Sequence, residues 1–263
     1  MRIGKQTAPF SAIATSDAHS VVVRGKDLCE DLIGQIDFTD YFYFLVTGET
    51  PDAAQRFFTN AVLVSIAEHG LVPSVQAARM TLAAAPDALQ GAVAAGILGC
   101  GSVVLGSAEA CGLMLAELLA VMRESGESAD AVAERHVKAL REQKRPLPGF
   151  GHPQHSEGDP RAERLLGLAH ERNVAGPAVA LLFALERQAP TAFGRALPIN
   201  VSGAIPAVML DVGFPVSALK GLPILARTAA LIGHLAEERE RPIGFILSHH
   251  AAEAITYDGA KRN

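Results

Sequence analysis

The chain has 263 residues, 49% of them hydrophobic and 19% charged, with a net charge of −5. That length supports one large domain with a substantial core, and the acidic balance excludes nucleic acid as the main partner, because phosphate binding needs a basic footprint. A mean hydropathy of +0.22 is apolar for a soluble protein of this size and points to buried helix–helix surface, within the chain or between copies. Cys29, Cys100 and Cys111 form no CxxC or Cys/His spacing. Such a sparse set predicts buried thiols, no metal site, and a reducing, cytoplasmic compartment. Met1 to Gln6 lack the apolar run of a signal peptide.

Residues 1–38 contain short β-branched runs such as Ser20-Val-Val-Val-Arg24 and read as an N-terminal segment, irregular or β-rich. From residue 39 to 263 the rhythm is helical. Thr39–Thr47 reads as an apolar helix closed by Gly48. Thr50-Pro51 reads as the cap and first-turn proline of a helix from Asp52 to Glu68, with Phe57, Ala61, Val64 and Ile66 as its apolar stripe. Further helices are predicted over 74–85, 88–98, 103–124, 129–144, 159–171, 176–189, 202–213, 216–239 and 243–254. Residues 88–108 carry no charge over about the length of a membrane span, but five glycines and a Gly-Cys-Gly-Ser break favour two small-residue core helices meeting at a turn. No membrane partner is expected. Strands do not alternate with helices after residue 40, which excludes a doubly wound sheet and leaves an all-α architecture.

The most distinctive loop is Arg145-Pro-Leu-Pro-Gly-Phe-Gly-His-Pro153, followed by Asp159-Pro-Arg-Ala162. Gly149 and Gly151 allow close backbone approach to a ligand, and His152 can polarise a carbonyl or move a proton. Arg161 lies in the first turn of a helix, placed to hold a carboxylate. A structural turn with a surface histidine and arginine fits the same spacing. His69, in Ala67-Glu-His-Gly70, ends a helix where a histidine complements the dipole whether or not it has a ligand. Asn200 or Ser202 is placed as a cap in Leu197-Pro-Ile-Asn-Val-Ser-Gly203. Arg227 falls on an otherwise apolar helix, where a charge usually has a partner or ligand. Arg241, in Arg239-Glu-Arg-Pro-Ile243, reads by default as part of a solvated charge run.

In this order the segments resemble the citrate synthase and citryl-CoA lyase superfamily, and most closely its short citryl-CoA lyase-like members. Asp40–Glu49, Ala67–Gly70, Gly149–His152, Asp159–Ala162, Leu197–Gly203, Ala226–Ala229, Arg241–Phe245 and Tyr257–Gly259 carry the resemblance. It implies a multi-helical fold and an obligate homodimer. It also implies a CoA thioester substrate, and cleavage of citryl-CoA or a related 3-hydroxyacyl-CoA to an acyl-CoA and an oxo acid, or the reverse. By resemblance, His69 helps hold the oxaloacetate or citrate end of the substrate, Arg161 and Arg227 bind substrate carboxylates, and Arg241 reaches the site from the second subunit. His152 contacts the oxygen at the reacting carbon, and Pro146, Leu147, Pro148, Gly149, Phe150 and Gly151 contact CoA.

Two positions depart from that pattern. The family histidine that supports the enolate is replaced by Val104, or by Glu109 if the register is shifted. The family Asn-Val-Asp, whose aspartate handles the methyl proton, reads Asn200-Val-Ser202. A serine hydroxyl is a poor base near neutrality without an activating partner. Proton transfer is expected to pass to Ser202 with a bound water or to another residue, and a non-catalytic or divergent acyl-CoA-binding homologue is the alternative.

Overall fold

The computed structural model describes residues 10–101, 105–151 and 157–259. Contacts group the chain into two compact units, residues 1–60 and 61–263.

The first unit opens with three short antiparallel strands in the order β1 (Ala14–Ser16), β2 (Val21–Val23) and β3 (Lys26–Asp27). Arg24 and Gly25 join β2 to β3 with φ of 50° and 82°, the left-handed pair that a two-residue hairpin needs to match strand twist. Val23, Leu32 and Phe44 form this unit's small core. Helix α1 (Phe38–Thr47) ends as the sequence predicts, on left-handed Gly48. Helix α2 (Ala53–Ala67) starts differently from the expectation. Asp52, not Thr50, is the cap: its carboxylate accepts the Gln55 amide at 2.8 Å while the Gln55 side chain accepts the Asp52 amide at 2.9 Å, a reciprocal capping box. The buried stripe is also shifted, to Phe58, Val62 and Ile66, and Val64 is exposed. Apolar residues occupy both sides of this helix, so spacing alone does not choose the inner one.

Helices α3 (Pro73–Ala84), α4 (Leu89–Leu98), α10 (Gly221–Glu240) and α11 (Gly244–Ala254) pack as one group, with α3 touching the other three. Val75, Ala78, Leu82, Ala92, Leu231 and Leu235 fill its centre. Gly96 permits the approach, since a Cβ there would lie 2.7 Å from Leu231 and 3.1 Å from Ala78. The second group is α5 (Gly106–Ser125), α6 (Ala129–Glu142), α7 (Pro160–Glu171), α8 (Pro177–Phe193) and α9 (Val201–Asp211). Helix α9 is its axis: it contacts α5, α7 and α8, and Val201 and Gly203–Met209 are all buried. Helix α8 runs past the predicted end at Ala189, through Pro190, to Phe193. Asp211, at the end of α9, accepts the Gly176, Ala178 and Val179 amides at 2.7–3.0 Å and so caps α8 from outside. The predicted break in the apolar stretch 88–108 is present, with α4 ending at Leu98 and α5 starting at Gly106.

Candidate active site

The glycine loop is fastened to the start of α9. Phe150 pairs antiparallel with Ile199; the Asn200 amide donates to the Gly149 carbonyl at 3.0 Å, and the Gly151 amide to the Pro198 carbonyl at 2.8 Å. The Asn200 side chain donates to the Gly151 carbonyl at 2.6 Å and accepts the Ser202 amide at 2.9 Å. Asn200 is therefore the cap that the sequence left open between two residues, and the same amide holds the loop. Gly149, at φ +86°, has no room for a side chain: a Cβ would lie 2.6 Å from Cys111 Sγ and 2.8 Å from Gly203 Cα. Leu147 and Gly149 are buried, Pro148, Phe150 and Gly151 half-buried, and Pro146 exposed.

Asp159 ties the third piece to these two. Its side chain is 1% exposed. One oxygen accepts the Arg161 backbone amide at 3.1 Å and Nε at 3.0 Å; the other accepts Arg161 Nη2 at 2.9 Å and the Val201 amide at 2.9 Å. Burial pushes the Asp159 carboxyl up, but Arg161 and the Val201 amide outweigh it and hold the group below its ordinary range. Arg161 is thus oriented by two parallel bonds before any ligand arrives.

The second cluster joins the end of α2 to α10. Glu68 accepts the His69 and Gly70 amides at 2.8 and 2.6 Å on one oxygen, and its other oxygen lies 2.9 Å from His234 Nε2. Arg227, two turns before His234, is 4% exposed. Its Nε and Nη1 have no hydrogen-bond partner among the described residues. Burial lowers the Arg227 pKa; Cys100 and Glu68 oppose that, and Arg161 adds to it. An arginine stays charged in a protein, and a buried cation without a partner is costly. Nε and Nη1 lie on different edges of the guanidinium, so an anion on either edge would satisfy one of them.

The remaining predicted positions are placed less centrally. Ser202 is half-buried in the first turn of α9, and no hydrogen bond joins its hydroxyl to another described residue. Arg241 is exposed at the end of α10. Its carbonyl accepts Arg79 Nη2 at 3.0 Å, and Arg79 is itself buried against Glu238 at 2.6 Å and Glu237 at 2.8 Å. Glu109 is paired with Lys220 at 2.8 Å. His152 and Val104 lie outside the described residues. Among the described residues no group of three or more His, Cys, Asp or Glu side chains converges on a possible metal site.

Asp159 and Asn200 thus hold Arg161 and the glycine loop against the start of α9. The description "Citrate synthase, C-terminal domain" matches residues 37–244. The chain belongs to the citrate synthase family. It is similar to citryl-CoA lyase from Hydrogenobacter thermophilus, with a TM-score of 0.84 and 29% identity, covering 97% of this chain and 96% of that one. It shares its fold with ATP citrate lyase from Methanothrix soehngenii, whose structure is a complex with citrate and coenzyme A, at a TM-score of 0.74 and 22% identity, covering 98% of this chain and 43% of that one. Citrate synthase 2 of Bacillus subtilis (strain 168) is 27% identical over 199 residues, 75% of this chain and 51% of that protein. The chain thus spans about half the length of that relative.

Sequence reading missed three site residues. Asp159 carried a usable signal, an acidic residue directly before a helix-starting proline. Glu68 and His234 carried none, because 166 positions separate them and only the fold brings them together.

Proposed function

We propose that this chain is a CoA-dependent carbon–carbon lyase acting on citryl-CoA or a related 3-hydroxyacyl-CoA, or running the reverse condensation. The observation that carries this reading is Arg227, a buried guanidinium with two open nitrogens, in a fold that also orients Arg161 through Asp159. Such a pair favours a substrate bearing carboxylates. The likeness to citryl-CoA lyase over nearly the full length of both chains supports the thioester half of the substrate.

In the cleavage direction the substrate's 3-hydroxyl loses its proton, the bond between C2 and C3 breaks, and its electrons pass to the thioester enolate, which must then be protonated. We assign carboxylate binding to His69, Arg161 and Arg227, with Arg241 entering from a second copy in a homodimer. Pro146–Gly151 would line the CoA thioester, with Asn200 holding the loop still. The role of His152 at the hydroxyl rests on the resemblance alone. Enolate protonation falls to Ser202 with a bound water. Incubating the purified protein with citryl-CoA should release acetyl-CoA and oxaloacetate; turnover no greater than that of His152→Ala would remove citryl-CoA as the substrate.

One observation favours a second reading. The Ser202 hydroxyl has no base within hydrogen-bond distance among the described residues, as expected of a homologue that binds acyl-CoA without turning it over. Calorimetry with CoA and citrate, combined with a panel of hydroxyacyl-CoA thioesters, separates the two: binding without turnover of any thioester supports the second.

A further inference from the structure

Glu68 and His234 touch no substrate in the proposed reaction, yet they connect the two elements that carry His69 and Arg227. Helix α2 ends at Ala67, and the next side chain folds back over the turn that follows. Glu68 Oε1 takes the amides of His69 and Gly70, fixing a turn in which Gly70 sits at φ +73°. Its other oxygen reaches across to His234 Nε2 at 2.9 Å. His234 follows Arg227 by seven residues, two helical turns, so both project from one face of α10. A single carboxylate thus sets the backbone of His69 against the helix that carries Arg227.

The exposure of the pair argues against a purely structural purpose. The Glu68 side chain is 50% exposed against 16% for His234, and a contact half open to water on one side adds little to stability. The carboxylate nevertheless sits close enough to Arg227 to oppose the lowering of its pKa.

We infer that Glu68 and His234 are a positioning pair that fixes His69 relative to Arg227 for one bound carboxylate. This rests on the carboxylate-binding reading of the site and names the residues that set its geometry.

The test uses the full chain, with citrate and CoA as separate calorimetric probes. Glu68→Gln and His234→Phe should weaken citrate binding by roughly 10- to 100-fold, the range that small misplacements of ligand-holding groups produce. CoA affinity and the thermal midpoint should stay unchanged. His234→Gln keeps an N–H for the Glu68 carboxylate and should recover most of the citrate affinity. Unchanged citrate affinity in His234→Phe overturns the proposal. So does a parallel loss of citrate binding, CoA binding and midpoint, which would make the pair part of the folding framework only. If the wild type binds CoA but no citrate, the carboxylate reading itself fails. The pair is then tested by the His69 ring resonances of the apo protein: a shift in His234→Phe with none in His249 or His250 sustains it, and unmoved His69 resonances overturn it.

Discussion

Gly149 and Gly203 meet backbone to backbone: a Cβ on Gly203 would stand 2.5 Å from the Gly149 carbonyl oxygen, and one on Gly149 would stand 2.8 Å from Gly203 Cα. No rotamer change relieves either clash, because the obstructing atoms are main chain. Gly203→Ala should therefore push the glycine loop off α9 at a cost of about 1–3 kcal/mol, the usual range for overpacking. Gly149→Ala should cost more, since its φ of +86° adds a left-handed penalty of about 1–2 kcal/mol. Urea midpoints of the two variants, read beside their CoA affinity, check this. A Gly203→Ala protein with wild-type stability and CoA binding would mean the loop is not held where the backbone contact places it.

Arg79 makes a different kind of prediction, about charge. Its side chain and that of Glu238 are each 3% exposed, and their 2.6 Å bond is one of three that the guanidinium makes. Glu238 in turn accepts the Ile243 and Gly244 amides, which start α11. Arg79→Met leaves that carboxylate buried without its cation, and should destabilise the protein by about 3–5 kcal/mol. Arg79→Lys should recover only part of this, because one ammonium cannot match the fork that spans Glu237, Glu238 and the Arg241 carbonyl. Chemical denaturation of both variants decides the point.

These two cases mark what a single sequence discloses. Gly149 stood out because two glycines around Phe150 have few other uses, and helix ends such as Gly48 were legible because left-handed caps are local. The element order was therefore readable almost throughout. Arg79 was invisible, since it lies 159 positions from Glu238 and looks like any arginine on a helix. Asp159 was half visible: its capping role follows from Asp-Pro, whereas its bond to the Val201 amide is a tertiary fact. Ser202 was legible as a departure from the family pattern, but its half-buried place in the first turn of α9 required the fold.

Acid should weaken the fold in two steps. Burial pushes the His136 pKa below its ordinary 6.5, Arg145 pushes it further, and Glu117 opposes them. The unfolded chain therefore takes up the proton first, and stability falls as pH drops below about 6.5. The loss should not exceed about 1.4 kcal/mol per pH unit, one proton's worth. Asp159 and Glu238 both lie below their ordinary values of 3.8 and 4.5. Their contribution is complete above those values and disappears as pH falls through the depressed folded ones. Denaturation midpoints from pH 7.5 to 3 should show both phases, and His136→Leu should flatten the first alone. If that variant keeps the full slope between pH 6.5 and 5, the early phase belongs to another group.

Ser202→Asp asks whether the rest of the proposed site is intact. The position is half-buried in the first turn of α9. A carboxylate there gains from the helix N-terminus, by about 0.3–1 kcal/mol. The Asp159 carboxylate, bonded to the adjacent Val201 amide, works against it by like charge. The introduced group should still be ionised at pH 7, which is the state a base requires. If His69, Arg161, Arg227 and the glycine loop already hold substrate correctly, the substitution should raise citryl-CoA cleavage, or the reverse condensation, by about 10²- to 10⁴-fold, the usual worth of one acid–base group. The measurement is kcat with CoA and citrate affinities taken in parallel. Retained affinity for both ligands with no gain in rate would show that more than the aspartate is missing, and would favour a binding protein over an enzyme that uses a different proton route.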